Sequence, residues 1–117
     1  MKFNITQEGN VSCLVISAEK LDSKVAPDLK SQFIILVNDP NSGHLIVDLG
    51  KINFADSSGL SALLLAHRLY RETDRSLVFY NLSERIQKLI EISQLSPVFN
   101  ITTDKESALA NLNPTLS

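Results

Sequence analysis

The 117-residue sequence contains one cysteine, no tryptophan, four glycines and two histidines. A lone cysteine rules out a disulfide framework, and without a cysteine pair or a Cys/His cluster a structural zinc site is not expected either. Cys13 falls inside the apolar run from Val11 to Ile16 with no cation near it in sequence, so it reads as a small buried hydrophobe. With so few glycines there is no phosphate-cradling loop: neither a Walker motif nor G-x-G-x-x-G after a strand is present. No apolar run approaches a membrane span. Residues 1–6 alternate polar and apolar where a secretory signal would be continuously apolar, which points to a cytoplasmic chain without direct membrane contact. The formal net charge is -2 with both signs scattered, so the basic stripe that neutralises nucleic-acid phosphates is missing. What remains is a composition of 44% hydrophobic and 21% charged residues, suited to one globular domain spanning residues 1–117.

Along the chain, Phe3 and Ile5 alternate with polar neighbours and predict a strand with one wet face near a sheet edge. Glu8-Gly9-Asn10 is a turn, and Val11 to Ile16 is a more central strand, the pair forming an antiparallel hairpin. Residues 19–22 read as a loop. A first helix follows, with Pro27 and Asp28 in its opening turn and Ala26, Leu29, Phe33, Leu36 and Val37 at helical spacing. Asn38 to Gly43 accumulate turn formers before Leu45-Ile46-Val47, a strand buried on both faces. Leu77 to Tyr80 repeats that pattern. Asn81 with Glu84 resembles a capping box for a helix burying Leu82, Ile86, Leu89 and Ile90. Val98 to Ile101 is a last strand, and Thr103 or Asp104 caps a final helix through Ala108, Leu109 and Leu112. Strand, strand, then helix alternating with strand predicts an α/β fold, a mixed sheet with a leading antiparallel hairpin and about four flanking helices.

Catalytic patterns are weak. A phospho-acceptor receiver domain would need acidic residues gathered after its first strand and a lysine after its last; Asp48, at a strand end, reads as a local hydrogen-bonding residue instead. A serine hydrolase would need a base and an orienting acid around its nucleophile, and the elbow G-x-S-x-G is missing. His44, beside a strand, and His67, within a leucine-rich helix, fit ordinary surface or core-edge roles. Neither a cofactor nor a metal is called for.

The stretch NFADSSGLSALLL, residues 53–65, carries more information. The helix that opens here has apolar residues over a wide arc, and its polar sector is a row of Ser57, Ser61, Leu65, Arg68 and Glu72. Ser57 begins that row at the helix amino terminus, where unpaired N–H groups and the positive end of the dipole tolerate an added phosphate. A phosphate there would set bulk and a charge of about -1.5 to -2 on an outward surface, without unfolding anything. Simple helix capping by Asp56 and Ser57 accounts for the same residues on local grounds.

Taken with Val47-Asp48-Leu49 and Leu21-Asp22, the stretch Asn53-Phe54-Ala55-Asp56-Ser57-Ser58-Gly59-Leu60 resembles the signature of the STAS domain of anti-sigma factor antagonists. The resemblance covers nearly the whole chain. It implies a non-enzymatic, monomeric switch that regulates transcription by partner switching: unphosphorylated, it binds an anti-sigma factor that is also a serine kinase and so frees a sigma factor. The kinase would phosphorylate Ser57, and a metal-dependent serine phosphatase would reverse it. Asp22 and Asp56 match acidic positions around that site, and Ser58, Ser61, Leu65 and Arg68 complete the expected partner-binding surface. The chain departs from the family at Glu19, where glycine is common, and at Ser61 and Leu65, where smaller residues are frequent. The rival within the family is a scaffold or transporter-associated domain that binds without being phosphorylated.

Overall fold

The structure, a computed structural model, describes residues 2–112. They form β1 (Phe3–Glu8), β2 (Val11–Ile16), β3 (Lys20–Leu21), α1 (Ala26–Asn38), β4 (His44–Asp48), β5 (Phe54–Ala55), α2 (Ser57–Arg71), β6 (Leu77–Tyr80), α3 (Glu84–Ile92), β7 (Ile101–Thr102) and α4 (Lys105–Ala110). Five strands make a mixed sheet in the order β1-β2-β4-β6-β7. The leading pair is antiparallel, as the hairpin signal required, and the remaining pairs are parallel. Gly9 closes the hairpin at φ 58°, a left-handed conformation that glycine adopts without a Cβ penalty.

Side chains alternate across the sheet. Leu14, Ile16, Leu45, Val47 and Phe79 join α1, α2 and α3 in the larger core. Cys13, Ile46, Val78 and Tyr80 face the other way, under Ala108 of α4. Strands covered on both faces read as continuous apolar runs, which is why β4 and β6 lack an alternating pattern. Cys13 is 3% exposed, and burial together with a hydrogen bond to the Glu8 carboxylate raises its thiol pKa, so it is a packed thiol and not a nucleophile.

Local details depart from the sequence expectation. Residues 19–22 are not simply a loop, because Lys20 and Leu21 form a two-residue strand paired in parallel with Phe54 and Ala55. The cap of α3 is Ser83, whose hydroxyl accepts from Ile86 N–H at 3.3 Å, while Asn81 takes a φ of 62° and reaches Asp48 with its side-chain amide. The last strand is only Ile101–Thr102, and within that final segment Val98 is exposed while Phe99 is buried against Phe79. Asp104 caps α4, with Leu109 exposed. β1 is wetter than expected: Phe3 is half-buried and the other five residues are exposed.

Candidate functional site

The site is built where β5 runs into α2. Leu21 of β3 and Ala55 of β5 lie side by side, so Asp22 and Asp56 leave the same end of this small sheet together. Asp56 N–H donates to Leu21 O at 3.3 Å, and Asn53 N–H donates to Glu19 O at 2.8 Å. The Asp22 carboxylate accepts from Lys24 and Val25 N–H, and its carbonyl accepts from Val25 and Ala26 N–H, which turns the chain into α1.

Asp56 is the N-cap of α2. Its backbone is extended at φ -105° and its Oδ1 accepts from Gly59 N–H at 3.0 Å. Gly59 is buried tightly against β3, and a Cβ there would lie 2.1 Å from Leu21 O. Asp56 and Gly59 thus serve the junction itself, one as cap and one as the close approach. The two serines between them are left to the surface, Ser57 exposed and Ser58 half-buried. Their N–H groups, the first of α2, have no intrahelical acceptor.

The outer row read from the sequence is present. Ser57, Ser61, Arg68 and Glu72 are exposed and Leu65 is half-buried among them. Ser57, Ser58 and Ser61 share a groove of about 340 Å³ with Ser23, Ala26, Pro27 and Lys30 from the start of α1. Lys30 is a residue that sequence reading passed over: it sits on the helix α1, twenty-seven positions from Ser57 in the chain, and only the packing of α1 on α2 brings it here. On the other flank of β5, Phe54, Leu89 and Ile92 line an apolar groove of about 500 Å³, equally unmarked in the sequence.

Other candidate groups are accounted for by packing. Asp48 accepts from Gly50 N–H and from the Asn81 amide, as expected of a local hydrogen-bonding residue. His44 is 4% exposed and its Nδ1 accepts from Ser76 N–H at 2.9 Å; burial, with Arg75 second, holds it below the ordinary histidine pKa. His67 stacks edge-on against Phe99 and is likewise lowered, by burial and then by Arg71. Among the described residues, no cluster of His, Cys, Asp or Glu could hold a metal ion, and no helix is long and apolar enough to cross a membrane.

The family model for the STAS domain matches residues 2–108. The chain belongs to the STAS-domain family. Among its relatives, the anti-sigma-B factor antagonist of Listeria monocytogenes is 30% identical over 88 residues, 74% of this chain and 75% of that protein. The putative anti-sigma factor antagonist BtrV of Bordetella bronchiseptica is 26% identical over 94 residues, 80% of this chain and 73% of that protein. This STAS domain thus stands, at low identity, in the anti-sigma factor antagonist family, which is non-enzymatic. Its fold is that of the STAS protein from Planctomyces limnophilus, with a TM-score of 0.82 over 92% of this chain and 95% of that one at 16% identity.

Proposed function

We propose that this STAS domain, a single unit over residues 1–117, is a cytoplasmic antagonist of an anti-sigma factor, switched by reversible phosphorylation of Ser57. Unphosphorylated, it binds a serine-kinase anti-sigma factor through Asp22, Asp56, Ser57, Ser58, Ser61, Leu65 and Arg68, and a sigma factor is released. Phosphate on Ser57 ejects the partner, and a serine phosphatase restores binding.

The observation that carries this reading is the division of labour at the helix start. Asp56 and Gly59 are committed to the junction, whereas Ser57 is exposed as the first residue of α2 and takes no part in holding it. A phosphate here would lie near the positive end of the helix, so the fold accepts it. The same phosphate would face any partner seated on the row from Ser57 to Glu72, where an unmatched charge costs several kcal/mol.

The test is capture from native lysate with mass spectrometry of the Asp56-Ser57-Ser58 peptide, followed by calorimetry with the recovered kinase. Ser57→Ala should bind as the unmodified chain does, and Ser57→Asp should bind at least about tenfold more weakly, ~1.4 kcal/mol. Equal affinities of the two variants, or a partner that never phosphorylates the chain, would leave a constitutive binding domain in place of a switch.

A further inference from the structure

The two edges of the main sheet are unlike. β7 is two residues long, a length that offers little to a foreign strand. β1 runs six residues in unbroken register with β2, Phe3 opposite Ile16 through Glu8 opposite Val11. It contains neither proline nor bulge, and its charges, Glu8 and the adjoining Lys2, sit only at its two ends and are of opposite sign. It also has little packing to do, since five of its six residues are exposed, Ile5 at 41%.

The hydrogen-bond phase of β1 is set by one bond, Ser17 N–H to Lys2 O at 2.7 Å. Antiparallel ladders alternate, so the polar groups of Asn4, Thr6 and Glu8 turn towards β2, and those of Phe3, Ile5 and Gln7 turn outward. We propose, in departure from the monomer that the family resemblance implies, that this outward edge pairs antiparallel with β1 of a second copy of the chain, on a two-fold axis at Ile5. Ile5 then meets Ile5 of the second copy, and Phe3 meets Gln7 on either side. Each of these is a hydrogen-bonded pair that exchanges two bonds.

Charge selects this register. It sets Lys2 opposite Glu8 at both ends. Shifting the axis to Thr6 brings Asn4 against Glu8, and shifting it to Asn4 brings Lys2 against Thr6, so neither alternative pairs opposite charges. Glu8 can take a second cation: its Oε2 already receives Lys105 Nζ at 2.9 Å and Cys13 Sγ at 3.2 Å, both on the same oxygen. Ile5 lies on the face of Leu14, so the paired isoleucines extend the larger core's side of the sheet. The contact is isologous and closes on itself, and the short β7 at either end stops the sheet from growing.

Sedimentation equilibrium on the full chain tests this. The expected result is a reversible monomer–dimer mixture at roughly 10–500 μM, in the range of a small polar interface. Ile5→Pro deletes an N–H that points away from β2, a change an edge strand tolerates, and should raise the dimer Kd at least about tenfold. Lys2→Glu sets carboxylate against carboxylate and should do the same while leaving the circular-dichroism melt unchanged; it carries the test if Ile5→Pro fails to fold. A chain monomeric to ~1 mM, or a dimer whose Kd is unmoved by Lys2→Glu and by any folded Ile5→Pro, would overturn the proposal.

Discussion

Replacing Gly59 by alanine adds one methyl group at a helical position, where alanine is ordinarily better by about 1 kcal/mol. Here the methyl would meet Leu21 O at 2.1 Å and Leu21 Cγ at 2.8 Å, against an ordinary contact of 3.4 Å or more. Relief requires β3 and α2 to separate by about 1.3 Å, the difference between 3.4 and 2.1 Å. The bond from Asp56 N–H to Leu21 O, already 3.3 Å, does not survive such a shift. Overpacking of ~3 kcal/mol and a lost hydrogen bond of ~1 kcal/mol, less the ~1 kcal/mol of helix propensity, leave a net destabilisation of about 3 kcal/mol. For a domain of this size that is a fall in Tm of about 10 °C. Urea and thermal unfolding followed by circular dichroism measure it, with Ser61→Ala as the control, an exposed helical site where alanine should be neutral or slightly stabilising. A Gly59→Ala chain as stable as the wild type would refute the account of why glycine stands there.

Asp56→Ala should cost about 1 kcal/mol through the lost cap to Gly59, and Asp56→Asn much less, because asparagine caps nearly as well; urea midpoints of the pair decide it. His44 accepts a part-buried hydrogen bond and is held below the ordinary value of 6.5, so the unfolded chain binds its proton more readily. Its contribution to stability is therefore present above about pH 6.5 and lost as the pH falls through the lower folded value. Melts across that window should show a smaller acid loss in His44→Asn, with His67, lowered as well, supplying part of what persists. The Tyr70 hydroxyl is buried with no hydrogen-bond partner among the described residues, and its pKa is pushed up to about 12 by burial. Tyr70→Phe should accordingly be neutral or stabilising by up to ~1 kcal/mol, and a loss larger than that in thermal melts would show that the hydroxyl is satisfied.

The parts of the fold legible in the sequence were those with a period. Ala26, Leu29, Phe33, Leu36 and Val37 mark the buried face of α1 and are all buried. The row from Ser57 through Ser61 and Arg68 to Glu72 is likewise the exposed face of α2, because a helix fixes which residues share a side. What escaped was short or decided by contact. Two residues cannot show an alternation, so β3 reads as loop, and the apolar Val98-Phe99 pair mimics a strand and masks the later start of β7 at Ile101. Asn81 and Ser83 are both good capping types; the strand end at Tyr80 and the reach to Asp48 assign the cap to Ser83. Lys30 carried no signal at all, since nothing local distinguishes it from other lysines on a helix surface.

The pairing of β3 with β5 has a consequence for any enzyme that acts on Ser57. The serine is linear with Asp56 and Ser58, but Asp22, Ser23 and Pro27 come to it only because Leu21 lies beside Ala55 and α1 packs on α2. A peptide of residues 53–65 lacks all three, and an unfolded chain scatters them. An enzyme that reads this composite face would therefore act on folded chains and pass over unfolded ones.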